Sequence, residues 1–134
     1  MALVSITRLR LRSFIYELPF IWHAVRSRLQ AARADGHLAM DLRRSGDGVY
    51  WTMTLWRDIA AMRAFMGSGA HRRAMPKLMH WCDEASVAHW ESDETTLPGW
   101  DEGKARLARE GRLSKLLNPS PLHTAGQLLG SSQK

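Results

Sequence analysis

The chain has 134 residues, six tryptophans, one cysteine and a formal net charge of +6. A chain of this length fits one domain and can bury roughly two-thirds of the surface that its unfolded form exposes, so folding requires neither a metal nor a disulfide. Cys82 has no partner for an intrachain disulfide, which is typical of a reducing compartment such as the bacterial cytosol. The apolar runs are too short for a membrane span or a signal peptide, so we expect a soluble, cytoplasmic protein.

The basic charge, with a pI near 10.2, favours association with anionic molecules. However, the arginines are scattered along the chain, whereas a nucleic-acid footprint usually concentrates on one face. Residues 49–56 also lack the Lys/Arg-Gly-aromatic pattern with which sheets stack RNA bases. We therefore expect a solvated basic surface and no specific nucleic-acid partner.

Residues 3–12 alternate between apolar and charged side chains, which predicts a first β-strand. Leu9 and Leu11 would lie on one face of this strand, and three arginines would lie on the other: Arg8, Arg10 and Arg12. An amphipathic helix is predicted from Pro19 to the Asp35–Gly36 break. Its apolar residues at helical spacing are Ile21, Ala24, Val25, Leu29 and Ala32.

Two extended runs, at 37–44 and 49–56, are joined by a turn-rich linker and predict an antiparallel hairpin. Asp58 is then placed as the N-cap of a short helix that ends at Gly67–Ser68–Gly69. A further helical run ends near residue 83 and contains Pro76, where we expect a kink or a restart. Alternation over 84–91 predicts a fourth strand.

The resulting order, β-α-β-β-α-β, predicts a ferredoxin-like α+β fold over residues 1–92, in which four antiparallel strands carry both helices on one face. Residues 93–134 are interpreted as a C-terminal appendage with one short helix at 101–110 and a disordered end at 130–134. Its apolar residues are too few for a separate core and too many for a free tail, so we expect it to pack on the main domain or on a partner subunit. With no cover for the second face of the sheet within one chain, a homodimer is expected.

The chain shows its most distinctive residues between Tyr50 and Trp90: the strand Tyr-Trp-Thr-Met-Thr-Leu-Trp, the helical run Ala-Met-Arg-Ala-Phe, the sequence Ser-Gly-Ala-His, and a final His-Trp pair. This stretch resembles the antibiotic-biosynthesis-monooxygenase-like superfamily, the dimeric α+β barrels. Within that superfamily it is similar to uncharacterised bacterial members and to spheroidene monooxygenases. The resemblance implies a dimer with a ligand pocket in each subunit, between the sheet and the helices.

The same resemblance implies particular site residues, and the sequence departs from two of them. Haem-degrading members typically use an Asn on a strand, and quinone-forming members often use an Asn to bind the substrate, whereas the one Asn of this chain is Asn118, in the tail. Counting from Trp56 to Ser68, the haem-ligating His of the family falls at Met75, one helical turn beyond His71. The cofactor is therefore left open between none and haem.

His71 is the candidate catalytic residue, because it begins a helix after a glycine-rich hinge, where an imidazole could act as a base or ligate iron. Local capping or packing is the alternative. With no second His or acidic residue at metal spacing, the sequence predicts no zinc site. Five residues are candidate ligand contacts: Trp51, Trp56, Phe65, Met75 and Arg10.

The reasons differ among these contacts. Trp51 and Trp56 are separated by five positions, so one must face the helices and the other the opposite side of the sheet. Indole rings suit planar aromatic ligands, and Phe65 and Met75 would add an apolar, adjustable lining, although core packing explains all four equally well. On a face enclosed by a dimer, Arg10 would need carboxylates or an anionic ligand; solvated strand-edge arginines are the alternative.

Two functions are consistent with these features. The first is a monooxygenase-like protein that binds a planar hydrophobic ligand of the quinone, polyene or haem type between sheet and helices. The second is a non-catalytic ligand-binding or dimerisation module on the same fold.

Overall fold

A computed structural model describes residues 1–46 and 48–130. Its strands are β1 (Ala2–Leu11), β2 (His37–Ser45), β3 (Val49–Trp56), β4 (Cys82–Ser92) and β5 (Arg112–Leu113). Its helices are α1 (Glu17–Arg33), α2 (Ile59–Met66), α3 (Gly69–Trp81), α4 (Trp100–Glu110) and α5 (Pro121–Thr124), and a 3-10 turn at Phe14–Tyr16 precedes α1. The predicted order β-α-β-β-α-β is confirmed, with the second helical region divided into α2 and α3.

The strands form one antiparallel sheet in the order β2-β3-β1-β4-β5. The predicted hairpin of β2 and β3 is confirmed, and the two central strands are β3 and β1. The sheet has five strands instead of the predicted four, because β5 adds two residues beside β4. The ferredoxin-like α+β fold is thus correct, with one short strand more than expected.

Alternation along the strands separates two faces of the sheet, which we call the cavity face and the packed face. On the cavity face, under α1, α2 and α3, lie Leu3, Ser5, Thr7 and Leu9 of β1 and Tyr50, Thr52, Thr54 and Trp56 of β3. On the packed face, under α4, lie Val4 and Ile6 of β1 and Val49, Trp51, Met53 and Leu55 of β3. The predicted placement of the two tryptophans on opposite faces is therefore correct.

The C-terminal segment covers the packed face. Trp100 and Leu107 of α4 belong to the same buried cluster as the strand residues of that face. Gly103 lies so close to the sheet that a Cβ there would be 3.1 Å from the side chains of Ile6 and Met53. The expectation of a sheet face without cover within the chain was therefore wrong, and with it the sequence argument for a homodimer.

This segment also contains more structure than the single predicted helix. It forms α4, β5 and α5, and Ser86 Oγ donates to the carbonyl of Leu128 at 2.7 Å, which ties its far end to β4. The predicted disorder at 130–134 falls, apart from Gly130, outside the described residues.

Two helix boundaries follow local chemistry. Asp58 Oδ1 accepts a hydrogen bond from the backbone N–H of Ala61 at 2.8 Å, which confirms the predicted N-cap of α2. Helix α3 continues from Gly69 to Trp81 with Pro76 inside it, so the predicted restart does not occur. None of the helices within the described residues is long and apolar enough to cross a membrane.

Helix α1 differs from an ordinary amphipathic surface helix. The residues that it buries are Phe20 and Ala31. By contrast, Val25 and Leu29, which belong to the apolar pattern seen in the sequence, are 51% and 55% exposed. The apolar pattern of α1 lies mostly on its outer side, whereas such a pattern normally faces the core.

Candidate functional site

A cavity of about 230 Å³ lies between the cavity face of the sheet and helices α1, α2 and α3. It arises from the sequence of the strands, because the residues at the centre of this face are small and those at its ends are large. Ser5 pairs with Thr54, and Thr7 pairs with Thr52. Hydroxyl-bearing side chains are too short to fill the space up to the helices, so a cavity remains above them.

The floor of the cavity consists of two rows that run across the sheet. One row is Met40, Thr54, Ser5 and His89, in the strand order β2-β3-β1-β4. The parallel row is Leu42, Thr52, Thr7 and Val87. Each row therefore has two hydroxyls at its centre and larger side chains at its ends.

The roof is mostly apolar. It includes Phe20, Met62, Phe65, Met66, Met75 and Met79. Thioether side chains are flexible and polarizable, so this roof can adapt to the shape of a ligand. The cavity thus combines an adjustable apolar roof with a hydroxyl floor, which is the usual composition of a small-molecule site.

His71 lines the cavity from the first turn of α3. Its Nδ1 lies 3.3 Å from the carbonyl oxygen of Met66, and its ring centroid is 4.8 Å from that of Phe65. A carbonyl can only accept a hydrogen bond, so Nδ1 carries the proton and Nε2 is the basic nitrogen of the neutral ring. Burial lowers the pKa of His71, while the carbonyl contact opposes this change. The neutral ring is therefore the prevailing form at neutral pH.

Gln30 of α1 holds the segment between α2 and α3 in place. Its Nε2 donates to the carbonyls of Phe65 and Ser68 at 3.2 and 2.8 Å, and its Oε1 accepts from the backbone N–H of His71 at 2.9 Å. Gly69, in this segment, has a φ of +58°, a conformation that favours glycine. One amide side chain thus fixes the start of the helix that carries the candidate base.

His89 is a cavity residue that the sequence analysis did not select. It lies on β4 beside Ser5, at the end of one floor row. Its Nε2 is buried and makes no hydrogen bond within the described residues. Burial, followed by Arg112 and Arg63, lowers the pKa of His89. The sequence signal that could have identified it was its position in the alternating pattern of the fourth strand, on the same face as Ala85 and Val87.

Of the five candidate ligand contacts, three line the cavity: Trp56, Phe65 and Met75. Trp56 is 1% exposed, and its Nε1 donates to Thr54 Oγ1 at 3.0 Å, so its donor is already used. It therefore offers a ligand an apolar wall. The hydroxyls of the floor were not among the candidates, although Ser and Thr at alternate positions of two strands marked them.

The structure does not bring Trp51 and Arg10 to the cavity. Trp51 lies on the packed face, where its ring meets that of Trp100 edge to face with centroids 6.5 Å apart. Arg10 Nη1 pairs with Asp83 Oδ2 at 3.3 Å. Trp51 is an odd number of positions from Trp56 and therefore lies on the opposite face from it, whereas Arg10 is two positions from Arg8 and lies on the same face as Arg8. Both residues are thus on the far side of the sheet from the cavity, and neither belongs to the site.

The predicted need for carboxylates opposite the strand arginines is met on that far side. Arg8 is fully buried and its Nη2 donates to Glu84 Oε1 at 2.8 Å. Glu84 Oε2 also accepts from Ser120 Oγ at 3.0 Å. This buried pair connects β1, β4 and the C-terminal segment, and it lies away from the cavity.

Within residues 1–46 and 48–130, no cluster of three or more His, Cys, Asp or Glu side chains could hold a metal ion. A wider groove of about 650 Å³ lies between α1 and α2, lined by residues such as Arg33, Asp35 and Arg57. Because Arg57 and Asp35 pair with each other there and both are exposed, we regard it as a solvated surface groove.

Comparison with known proteins supports the fold. SnoaB, a cofactor-independent oxygenase from Streptomyces nogalater, is 19% identical with a TM-score of 0.58, and the similarity covers 73% of this chain and 98% of that one. A putative antibiotic biosynthesis monooxygenase from Deinococcus radiodurans is 16% identical with a TM-score of 0.60, covering 74% and 99%. A conserved protein from Methanosarcina mazei Go1 is 10% identical with a TM-score of 0.62, covering 69% and 94%.

These similarities confirm, at the level of the fold, the resemblance seen between Tyr50 and Trp90. No curated protein matches the chain. A family model, described as a domain of unknown function (DUF3291), matches residues 20–112, a range that includes most of α1, all of α2, α3 and α4, and strands β2, β3 and β4. The chain therefore belongs to the DUF3291 family.

Proposed function

We propose that this protein binds a small planar apolar molecule in the cavity and acts on it as a monooxygenase-like oxidoreductase, with His71 as the base. The observation that carries the proposal is the juxtaposition of a neutral imidazole with an apolar, hydroxyl-floored cavity between the sheet and the helices. Monooxygenases among proteins of the same fold support the reaction class.

The size of the cavity limits the ligand. Pockets for drug-sized molecules are commonly about 300–1,000 Å³, whereas this cavity is about 230 Å³. A ligand of two fused aromatic rings is therefore more suitable than a long polyene. Trp56 and Phe65, with centroids 5.0 Å apart, supply a wall for such a ring system.

His71 gives the site a chemical function. Its unprotonated Nε2 can accept the proton of a phenolic hydroxyl, and the floor hydroxyls can donate to the resulting phenolate. An electron-rich phenolate can be oxidised by O₂, with one oxygen atom entering the ring as a quinone carbonyl and the other leaving as water. The ring supplies the electrons, so this reaction requires no redox cofactor.

Haem fits the site less well. Because Nδ1 of His71 carries the proton, its Nε2 is unprotonated, as an iron ligand must be. However, a porphyrin is large for a cavity of about 230 Å³. The position at which the family resemblance implies the haem-ligating His is occupied by Met75. We therefore propose a cofactor-free site. A Soret band that appears on addition of hemin and disappears in His71→Ala would contradict this.

A non-catalytic binding function is the second candidate. It is favoured by the composition of the cavity, whose lining contains no Asn, the residue that oxygenases of the resembled superfamily use to bind substrate.

A homodimer also remains a proposal, now at a different surface. Among the residues that the structure describes, strand β2 is an edge strand that pairs only with β3, so a second copy could extend the sheet there.

The first experiment measures binding of 1-naphthol through quenching of tryptophan fluorescence, and O₂ consumption in the same solution. His71→Ala should weaken binding at least tenfold, worth about 1.4 kcal/mol, and abolish O₂ uptake while leaving the melting temperature nearly unchanged. His80→Ala is the matched control, because His80 lies on the same helix, is exposed and does not line the cavity.

The outcomes separate the two candidates. Binding that depends on His71 without O₂ uptake or quinone formation supports the binding module and contradicts the oxygenase. Lost stability with unchanged binding would show that His71 is structural and would contradict its proposed function as the base.

A further inference from the structure

The outer side of α1 carries a continuous apolar stripe, which we call the α1 stripe. It consists of Leu18, Trp22, Val25 and Leu29, which are 79%, 57%, 51% and 55% exposed. Spacings of four, three and four residues place these side chains in one line along the helix. A soluble surface helix normally shows water its polar side, so an exposed apolar line of this length marks an interaction surface.

The stripe extends beyond the helix. In the 3-10 turn before α1, Phe14 and Ile15 are 85% and 61% exposed. At 1.5 Å per residue, the 17 residues of α1 alone extend for about 25 Å. The apolar surface is therefore a long, narrow ridge along the outer side of α1, which a flat partner can contact along its whole length.

The helices around the stripe are strongly basic. Helices α1, α2 and α3 together carry seven Arg or Lys residues: Arg26, Arg28, Arg33, Arg63, Arg72, Arg73 and Lys77. Their one acidic residue is Glu17, whose Oε1 is held by Arg44 at 2.8 Å and by the hydroxyl of Tyr50 at 2.8 Å. Helix α4, on the other side of the sheet, carries three basic and three acidic residues. The positive charge is thus concentrated on the side of the stripe.

Arg26 shows how charge and apolar surface combine. Its guanidinium lies 4.7 Å from the ring centroid of Trp22. A guanidinium over the face of an indole makes a cation–π contact, so positive charge lies directly beside the apolar surface. Trp and Arg in this arrangement are typical of helices that lie in the headgroup region of a membrane.

We propose that the α1 stripe binds the surface of a bilayer containing anionic lipids, with α1 lying parallel to the membrane plane. The apolar side chains enter the boundary between headgroups and acyl chains, and the surrounding arginines contact lipid phosphates. The proposal is independent of the ligand in the cavity.

A second copy of the chain suits the stripe less well. In a two-fold pair, each stripe meets itself, so Arg26 and Arg33 of one copy approach the arginines of the other. Like charges facing each other are unfavourable, and Glu17 is already engaged by Arg44 and Tyr50. Nucleic acid would satisfy the arginines but would leave most of the apolar ridge in water.

The test is flotation of the full chain with vesicles of phosphatidylcholine alone or of equimolar phosphatidylcholine and phosphatidylglycerol. We expect binding to the anionic vesicles, at least tenfold weaker binding to the neutral ones, and release at high salt. Leu18→Ser combined with Trp22→Ser should reduce binding to anionic vesicles at least tenfold. Leu38→Ser combined with Leu117→Ser is the matched control, because these leucines are 50% and 63% exposed outside the stripe.

A second pair of variants tests the charge. Arg26→Gln with Arg33→Gln should weaken binding more than Arg43→Gln with Arg109→Gln, although each pair removes two positive charges. Arg43 lies over the ring of Trp100, and Arg109 is on α4, so the control charges are on the opposite side of the sheet.

Any of three results in the flotation experiment would overturn the proposal. The first is no binding of the wild-type protein to anionic vesicles at low salt. The others are an equal loss of binding in the stripe variant and the leucine control variant, or a stripe variant that binds as well as the wild type. A dimer in solution that Leu18→Ser with Trp22→Ser dissociates would assign the stripe to a second copy instead. Tight binding to an oligonucleotide that the stripe arginines govern, without vesicle binding, would assign it to nucleic acid.

Discussion

The two faces of the sheet are built by the same strands and have opposite characters. On the packed face, β1 contributes Val4 and Ile6, both fully buried, and α4 fills the remaining space with Leu107, which is also fully buried. On the cavity face, the intervening positions of β1 are Ser5 and Thr7. Because side chains alternate along a strand, every second residue can be selected for packing while those between remain small. One strand can therefore supply a packed core on one side and leave a cavity on the other.

The two faces also differ in the kind of polar group that they bury. The packed face holds a charged pair, Arg8 and Glu84, which is buried and hydrogen-bonded. The floor of the cavity has neutral polar groups, hydroxyls and an imidazole, and the ion pair on this side, Arg44 with Glu17, lies at the edge and is partly exposed. Burial of an ion pair requires fixed geometry, whereas hydroxyls and neutral imidazoles can accept or donate to a range of ligands.

The largest expected effect comes from emptying the packed face. Leu107→Ala should lower the free energy of unfolding by about 2–5 kcal/mol, because a fully buried leucine leaves a cavity when it is truncated. The measurement is a urea unfolding curve, with Leu117→Ala, a leucine 63% exposed, as the control. A loss below about 1 kcal/mol, which is typical of surface positions, would show that α4 is an appendage after all.

This result concerns the part of the fold that the sequence predicted only in outline. The strands and their order could be predicted because alternation and turn residues are local signals, and the Asp58 cap could be predicted for the same reason. The sequence also indicated that the C-terminal segment packs, but not whether it packs on its own domain or on a partner subunit, because Trp100 and Leu107 are only two apolar residues on a short helix. Their contribution depends on Gly103, which allows α4 to approach Ile6 and Met53.

The site was predicted in part, and the omissions have a physical cause. His71, Trp56 and Phe65 were found because a hinge and aromatic residues stand out in a sequence. Ser5 and Thr52 are individually unremarkable, and their place on the cavity floor depends on strand register, which brings each beside another hydroxyl. At helix α1 the pattern itself was recognised, but its environment was not. Periodicity identifies an apolar face without specifying whether that face is covered or exposed.

Acid should destabilise the protein through the cavity side. Burial is the first cause that lowers the pKa of His23, His37, His71 and His89. An unfolded His titrates near 6.5, so below that pH the unfolded chain binds more protons than the folded one. Stability is therefore complete above about pH 6.5 and falls as the pH decreases towards the lower folded pKa values.

Urea midpoints measured on both sides of this pH should show the decrease, and His71→Gln should make the dependence shallower. A midpoint that does not change with pH would mean that these imidazoles are as well solvated in the folded protein as in the unfolded chain.

A smaller effect is expected at the N-cap of α2, which helps to hold the roof of the cavity. Asp58→Ala should destabilise the protein by about 1 kcal/mol, because the backbone N–H of Ala61 loses its acceptor. Asp58→Asn is the control, since an amide oxygen can still cap the helix. If both variants have the wild-type urea midpoint, the cap contributes nothing to the stability of the roof.

The smallest expected effect on stability lies on the cavity floor. Thr52→Val keeps the shape of the side chain and removes its hydroxyl from a partly open cavity, so the free energy of unfolding should change by no more than about 0.5 kcal/mol. The contrasting variant is Ile6→Thr, which places a hydroxyl in the filled packed face and should cost about 1–3 kcal/mol for the unpaired group. Binding of 1-naphthol should respond in the reverse order, with Thr52→Val weakening it and Ile6→Thr leaving it unchanged at a temperature where both variants are folded. If Thr52→Val is the more destabilising of the two, the floor hydroxyls hold the sheet together, and the division of the two faces into packing and binding does not apply.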